Sequence, residues 1–284
     1  MEMALEEFPL ALFTTFAPVG AGAFIALFFA FFTDRYDDKE LRSIHRFTII
    51  PVGLACVALF CSFFHLANPG NASNVLSTIG STPLANEILV FGIFLILAIV
   101  YWIVAIAGGL KNKAARVICS AIVAASGIVM TIFIGLAYFI PIVPAWDNGL
   151  TVVQMLGILL FGGVLLGMLI CALGERGAKD TKQFNIVMAV LVIIGFAMMV
   201  IGTCVIFGMA SNTVSYVLDV SAITGSMITS LVLSIALSAV AIIVMFVGMG
   251  KGHRIMLTCA VILALFGIFF ARFCFYGLQI PIGL

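Results

Sequence analysis

Eight long apolar runs make up most of this chain, and short polar stretches separate them. A helix needs about 20 apolar residues to cross the hydrocarbon core of a bilayer, whereas a barrel strand needs about 10 that alternate. The runs are continuous, so they predict helices rather than barrel strands. The predicted spans are 9–32, 47–66, 88–110, 117–140, 151–173, 184–207, 227–249 and 255–277. The connections are too short for a soluble domain, so residues 1–284 are predicted to form a single membrane domain.

Basic residues occur in alternate connections. The first, third, fifth and seventh connections hold twelve of the 13 Lys and Arg residues, namely Arg35, Lys39, Arg42, Arg46, Lys111, Lys113, Arg116, Arg176, Lys179, Lys182, Lys251 and Arg254. Cytoplasmic loops are enriched in Lys and Arg, so this pattern predicts that both termini lie on the outer, periplasmic side of the cytoplasmic (inner) membrane. The outer connections then form a nearly uncharged face that a partner protein could cover.

The composition agrees with an all-α integral membrane protein. Hydrophobic residues make up 64% of the 284 residues and charged residues 9%, against about 25% charged residues in soluble domains. The seven cysteines lie inside the apolar runs without a CxxC pair or a Cys/His cluster, so neither a disulfide framework nor a metal site is predicted. The lipid bilayer is an expected partner, and no nucleic acid is.

The histidines do not favour haem binding. A haem held between helices usually needs two axial His residues at matching depth. His45 and His253 fall in basic connections, where they are expected to be solvated, and His65 stands alone at the outer end of the second run.

A base and an acid flank the second connection, at the same face of the membrane. His65 ends the second apolar run and Glu87 begins the third, and no Lys, Arg or other acid lies between them. A quinol is apolar and has two hydroxyl groups that must lose their protons as its electrons leave. His titrates near neutral pH, and a carboxylate shielded from water can become a usable base. These two residues therefore predict a quinol site, although each could also be a polar interfacial residue satisfied by water.

Arg272 is the one cation within an apolar run, in the outer third of the last span. A cation at membrane depth costs roughly 2.5–3.5 kcal/mol on insertion scales, so it normally has a partner or a wet cavity. Glu87 is the carboxylate at a comparable depth, which suggests a direct or water-mediated pair. The alternative is that Arg272 extends outward alone to the water.

Several short motifs resemble those of a known family, the membrane-anchor subunit of the anaerobic dimethyl sulfoxide reductases. The His-Leu…Asn-Glu-Ile and Arg…Phe-Tyr-Gly-Leu patterns are the most specific. The matching stretches are Phe8-Pro9-Leu10, Gly22-Ala23-Phe24-Ile25, His65-Leu66, Asn86-Glu87-Ile88, Pro144 and Trp146, Gly162-Gly163, and Arg272 with Phe275-Tyr276-Gly277-Leu278.

The resemblance implies an eight-helix anchor without haem. It further implies that the protein takes part in anaerobic respiration, holding a molybdopterin catalytic subunit and an iron–sulfur electron-transfer subunit at the outer face. Such an anchor oxidises menaquinol and passes the electrons to the iron–sulfur subunit. The family's quinol-site His and Glu match His65 and Glu87, and we expect Arg272 and Tyr276 to line the same quinol site.

Two other functions remain compatible with the residues. A proton-coupled secondary transporter could use His65, Glu87 and Arg272, although transport sites usually lie near the bilayer midplane. A purely structural anchor would tolerate replacement of His65 and Glu87.

Overall fold

The computed structural model describes residues 2–33, 36–64, 77–175, 182–251 and 254–282. Within these residues, eight helices are long and apolar enough to cross a membrane, which confirms the predicted all-α bundle. In chain order they are α1 (Phe8–Phe32), α2 (Asp38–Phe63), α3 (Pro83–Ile106), α4 (Lys113–Leu136), α5 (Gly149–Gly174), α6 (Lys182–Ser211), α7 (Val220–Lys251) and α8 (Arg254–Gly277). A short helix, Glu2–Glu6, precedes α1 and packs against α8.

Helices α1 and α5 form the centre of the bundle. In their most apolar windows, 72% of the α1 residues and 78% of the α5 residues are buried, against 28–39% in the other six helices. Helices α2 and α4 pack beside α1, α6 packs beside α5, and α8 packs against both central helices. Helix α3 lies outside α4, and α7 pairs along its length with α8. The outward faces of the peripheral helices carry exposed Ile, Val and Phe side chains, as a lipid-facing surface requires.

Small residues let the two central helices approach closely. Gly22 of α1 lies against the backbone of Leu159 and Gly163 in α5, where any larger residue would overlap main-chain atoms. Van der Waals packing of this kind stabilises helix association in membranes, where the hydrophobic effect contributes little between helices. Residues Leu159–Gly163 form a π-helical turn, so the α-helical ladder of α5 is interrupted next to this crossing.

For two of the helices, local features explain why the observed bounds differ from the predicted ones. The predicted span 88–110 is helix α3, which ends at Ile106 because Gly108 adopts φ +81 and reverses the chain. The predicted span 47–66 is the second part of α2, Ile49–Phe63. It is preceded by an amphipathic helix, Asp38–Phe47, whose start is fixed by a capping box between Asp37 and Glu40.

The amphipathic start of α2 overturns the expectation that His45 is solvated. His45 is 5% exposed, and its ring centroid lies 5.4 Å from that of Phe31 and 6.3 Å from that of Tyr101. The helical period turns His45 inward together with Leu41 and Ile44, while Arg42 and Arg46 remain exposed. His253 lies outside the described residues.

Both ends of the described chain lie at one end of the bundle, here called the termini end. The Ile282 backbone N–H donates a hydrogen bond of 2.8 Å to the carbonyl of Ile142 in the α4–α5 loop. The opposite end, here called the basic end, contains the connections rich in Lys and Arg. There Arg254 at the start of α8 donates to the Glu175 carbonyl that follows α5.

The α1–α5 crossing generates a stability prediction. We expect Gly22→Ala to lower the free energy of unfolding by about 1–3 kcal/mol, because the added methyl group would overlap backbone rather than a movable side chain. Gly53→Ala is the matched control, since a methyl group at that helical glycine would meet no atom within 4 Å. Thermal unfolding in mild detergent measures both variants. Equal melting temperatures for the two would contradict the tight crossing.

Candidate functional site

Arg272 of α8 is fully buried, and hydrogen bonds satisfy its guanidinium on three sides. Its Nε donates to Thr14 Oγ1 of α1 at 2.9 Å, Nη1 donates to Gln154 Oε1 of α5 at 2.6 Å, and Nη2 donates to Tyr276 Oη at 3.3 Å. The residue is 0% exposed, so the alternative in which it extends alone to the water is wrong. Arg272 therefore joins the two central helices to α8.

A second layer of hydrogen bonds holds the groups that accept from Arg272. Gln154 Nε2 donates to Thr203 Oγ1 of α6 at 2.8 Å, and the Thr203 hydroxyl donates to the Met199 carbonyl at 2.7 Å. The Thr14 hydroxyl donates to the Leu10 carbonyl at 2.8 Å, which leaves its lone pairs free to accept from Arg272. Four helices thus contribute to one buried network, and its orientation is fixed on each side.

Aromatic rings enclose the guanidinium where hydrogen bonds do not. Its Cζ atom lies 4.0 Å from the ring centroid of Phe275, 5.0 Å from that of Tyr276 and 5.4 Å from that of Tyr138. Phe275 stacks on Trp146 at 4.8 Å with an interplanar angle of 7°. Cation–π contact of this kind stabilises a desolvated cation, and the stacked rings keep water away from it.

Tyr138 extends the network to the end of α4. It follows α4 in the chain, is 7% exposed, and its hydroxyl is hydrogen-bonded to that of Tyr276. Its ring packs edge-on against those of Trp146 and Phe275. Tyr138 therefore joins the network by its hydroxyl group and the aromatic enclosure by its ring.

The start of α3 places Glu87 at membrane depth. Thr82 caps the helix by accepting a hydrogen bond from the Ala85 N–H at 3.3 Å, and Pro83 occupies the first turn, where its fixed φ suits a helix. Asn86 Oδ1 accepts from the Gly80 N–H at 2.7 Å and ties the preceding turn to the helix. Glu87 is 6% exposed, so a carboxylate within the first turns of α3 is almost fully buried.

Glu87 and Arg272 lie in the same part of the bundle without a direct hydrogen bond between them. Among the described residues, the bonds of Arg272 go to Thr14, Gln154 and Tyr276, which are neutral. Phe91, one turn after Glu87, packs against Phe13, the chain neighbour of Thr14, with 5.4 Å between the ring centroids. The predicted Glu87–Arg272 pair is thus not a direct hydrogen bond, and its water-mediated form stays a prediction.

The structure brings two of the four residues predicted for the site into direct contact, since Arg272 donates a hydrogen bond to Tyr276. Glu87 lies at the start of α3, at the same end of the bundle, and His65 lies outside the described residues. Sequence reasoning missed Thr14, Gln154, Thr203 and Tyr138. A faint signal existed for Gln154, which is an amide inside the fifth apolar run.

No group of three or more His, Cys, Asp and Glu side chains suited to hold a metal ion is present in the described part of the chain. At the termini end, Glu87 offers a buried carboxylate, Tyr138 and Tyr276 offer two buried phenols, and Arg272 offers a buried cation. Such a set can hydrogen-bond a ligand with hydroxyl or carbonyl groups and can exchange a proton with it.

Comparison with known proteins gives one family over nearly the whole sequence. The family model described as DMSO reductase anchor subunit (DmsC) matches residues 1–278. The C subunit of anaerobic dimethyl sulfoxide reductase from Haemophilus influenzae is 30% identical over 166 residues, which cover 58% of this chain and 59% of that protein. In Escherichia coli, the YnfH subunit of anaerobic dimethyl sulfoxide reductase is 27% identical and the C subunit 28% identical, each alignment covering 98% of this chain and 97% of the relative.

The Arg272 network predicts unequal roles for two adjacent threonines. Thr14→Val should lower the free energy of unfolding by about 1–3 kcal/mol, because it leaves a buried charged donor without its acceptor. Thr15→Val is the control, since Thr15 is equally buried and its hydroxyl bonds to Ala11 of its own helix at 2.7 Å. Thermal unfolding measures the stability of both variants. An equal loss of stability in both would contradict the proposed contribution of the Thr14–Arg272 hydrogen bond.

Proposed function

The chain belongs to the DMSO reductase anchor subunit family, and on that premise we propose that it oxidises quinol as well as anchoring its complex. The proposed substrate is menaquinol, which binds between the outer parts of α2, α3 and α8. The electrons pass to an iron–sulfur subunit, which delivers them to a molybdopterin catalytic subunit in anaerobic respiration. The anchor therefore performs the quinol-oxidising step, and the terminal reduction takes place in a partner.

The observation that carries this proposal is the burial of Glu87 at the same end of the bundle as the Arg272 network. Burial of an acid in a membrane helix costs free energy, so an acid found there is usually part of a functional site. Glu87 directly precedes the predicted span 88–110, and none of the eight predicted spans contains an Asp or a Glu. Glu87 lies at one end of the bundle, so a proton that it takes from the quinol can pass to the water at that end. Sites of proton-coupled transporters usually lie near the bilayer midplane, so this position disfavours transport.

The proposed mechanism assigns one task to each group. Oxidation of a quinol to a quinone releases two electrons and two protons, and both electrons go to the iron–sulfur partner. Glu87 takes the protons one at a time, as each quinol O–H bond breaks, and passes each to the water at the termini end. Tyr276 and Tyr138 line the inner wall of the site, and the charge of Arg272 stabilises negative charge there. His65 keeps the role that the family resemblance implies, a hydrogen bond to one quinol hydroxyl.

The loops at the termini end suit a protein partner. Between α6 and α7, Val214 is 70% exposed, Tyr216 98% and Val217 67%, and the Ser215 hydroxyl holds their turn by accepting from the Leu218 N–H at 3.1 Å. Tyr is enriched in protein–protein interfaces, so the exposed ring of Tyr216 suits a contact residue that becomes buried on association. We place the electron-transfer partner on this face, beside the proposed quinol site.

The proposed orientation puts the termini end in the periplasm. The basic end carries the Lys and Arg connections, which the positive-inside rule assigns to the cytoplasm. Alkaline phosphatase fused after residue 284 should therefore be active, because that enzyme folds only after export. A fluorescent protein fused at the same position should remain dark. Bright fluorescence with no phosphatase activity would reverse the orientation and move the partner to the cytoplasm.

The decisive test replaces the acid by its amide. Glu87→Gln should lower the rate of quinol-dependent reduction of the iron–sulfur centres at least about 100-fold, since a buried amide cannot take the proton. The rate is measured by stopped-flow or electron paramagnetic resonance on membranes that contain the assembled complex.

Asp147→Asn is the matched control, because it neutralises an exposed acid at the same end of the bundle and should leave the rate within about twofold. If the assembled Glu87→Gln complex oxidises quinol at the original rate, the proposed mechanism is wrong and the chain is a purely structural anchor.

A further inference from the structure

The contacts of Arg272 leave its positive charge without a counter-ion in direct contact. A guanidinium stays charged inside a protein, so it cannot reduce the cost of burial by losing a proton. Among the described residues, all three hydrogen-bond acceptors are neutral: a threonine hydroxyl, a glutamine amide and a tyrosine hydroxyl. The N–H donors of Arg272 therefore have hydrogen-bond acceptors, but none of these acceptors carries a negative charge.

The lack of a counter-ion is due to the residue type at position 154 and not to a lack of space for a carboxylate. Arg272 Nη1 can only donate, so the atom it meets at 2.6 Å must be the amide oxygen of Gln154. A glutamate at this position has nearly the same shape and would give a charge-assisted contact, which is roughly twice as strong as a neutral one. If burial of Arg272 were the sole requirement, glutamate would serve better.

The second bond of Gln154 excludes a simple steric explanation. Its Nε2 donates to Thr203 Oγ1 at 2.8 Å, and this hydroxyl could turn and donate to a carboxylate instead. The pocket would therefore accept either side chain. The difference between them is the net charge of the pair, which is +1 with glutamine and zero with glutamate.

We propose that Gln154 is a positioning residue that fixes the Arg272 guanidinium and, by being neutral, keeps its positive charge available to the proposed quinol site. This inference rests on the proposed function. When a quinol O–H bond breaks and the proton moves to Glu87, negative charge moves from the carboxylate to the quinol oxygen. Arg272 lies at this end of the bundle: its acceptor Thr14 follows Phe13, which packs against Phe91, one turn after Glu87. Its charge stabilises the quinol oxygen until the electron leaves for the partner.

The test converts the neutral acceptor into a charged one. Gln154→Glu keeps the hydrogen bond to Arg272 and should preserve assembly and melting temperature. We expect its kcat for quinol-dependent reduction of the iron–sulfur centres to fall at least about tenfold, with KM for the quinol within about twofold, because charge stabilisation acts on the reacting state. Gln183→Glu is the matched control, since it adds the same carboxylate at an exposed site at the basic end.

A second variant keeps the proposal falsifiable if Gln154→Glu does not assemble. Thr14→Asp places a carboxylate against Arg272 Nε from α1 instead of α5, and it should produce the same loss of kcat. Full kcat in either assembled carboxylate variant would overturn the proposal and leave Gln154 a purely structural residue.

The outcome for Glu87→Gln separates the two levels of the argument. If that variant is inactive while the Gln154→Glu complex is fully active, the quinol site stands and the role of Gln154 is wrong. If the Glu87→Gln complex is fully active, both the proposed quinol site and the proposed role of Gln154 are wrong.

Discussion

A positive charge that is buried in a membrane must have its hydrogen-bond donors satisfied, and this requirement organises the termini end of the bundle. Arg272 meets it with acceptors from α1, α5 and α8. Those acceptors need partners of their own, which brings in Thr203 of α6 and the phenol of Tyr138. Removing one acceptor would leave an unsatisfied charged donor in a buried region, so we expect the members of the network to depend on one another.

The network depends on the close packing of the central helices. Thr14 and Gln154 can both reach Arg272 because α1 and α5 cross with little between their backbones, and Gly22 and Gly163 provide that approach. Gly157 of α5 lies against the backbone of Met199 in α6, which brings Thr203 within reach of Gln154. Small residues that would pass for ordinary packing therefore determine where the polar groups meet.

Hydropathy predicted the number and approximate limits of the spanning helices, because the bilayer imposes their length and composition. It could not predict the inward turn of His45, since the first part of α2 is amphipathic rather than uniformly apolar. In the site, the charged residues Glu87 and Arg272 stood out against the apolar sequence. The sequence did not distinguish Thr14 from its neighbour Thr15. The two side chains point in different directions from α1, so Thr14 accepts from Arg272 of another helix while Thr15 bonds within its own helix.

The contrast between neutral and charged partners bears on the function of the buried cation. A salt bridge at Arg272 would be the simplest way to bury it, and the sequence supplies a glutamine where a glutamate would fit. Glu87 is held separately, on α3, with a nearly buried side chain at the same end of the bundle. In the proposed function, a cation and an acid that are not hydrogen-bonded to each other can both act on a ligand whose charge changes during reaction. A quinol that loses protons and electrons is such a ligand, whereas a purely structural pair would gain by closing the gap.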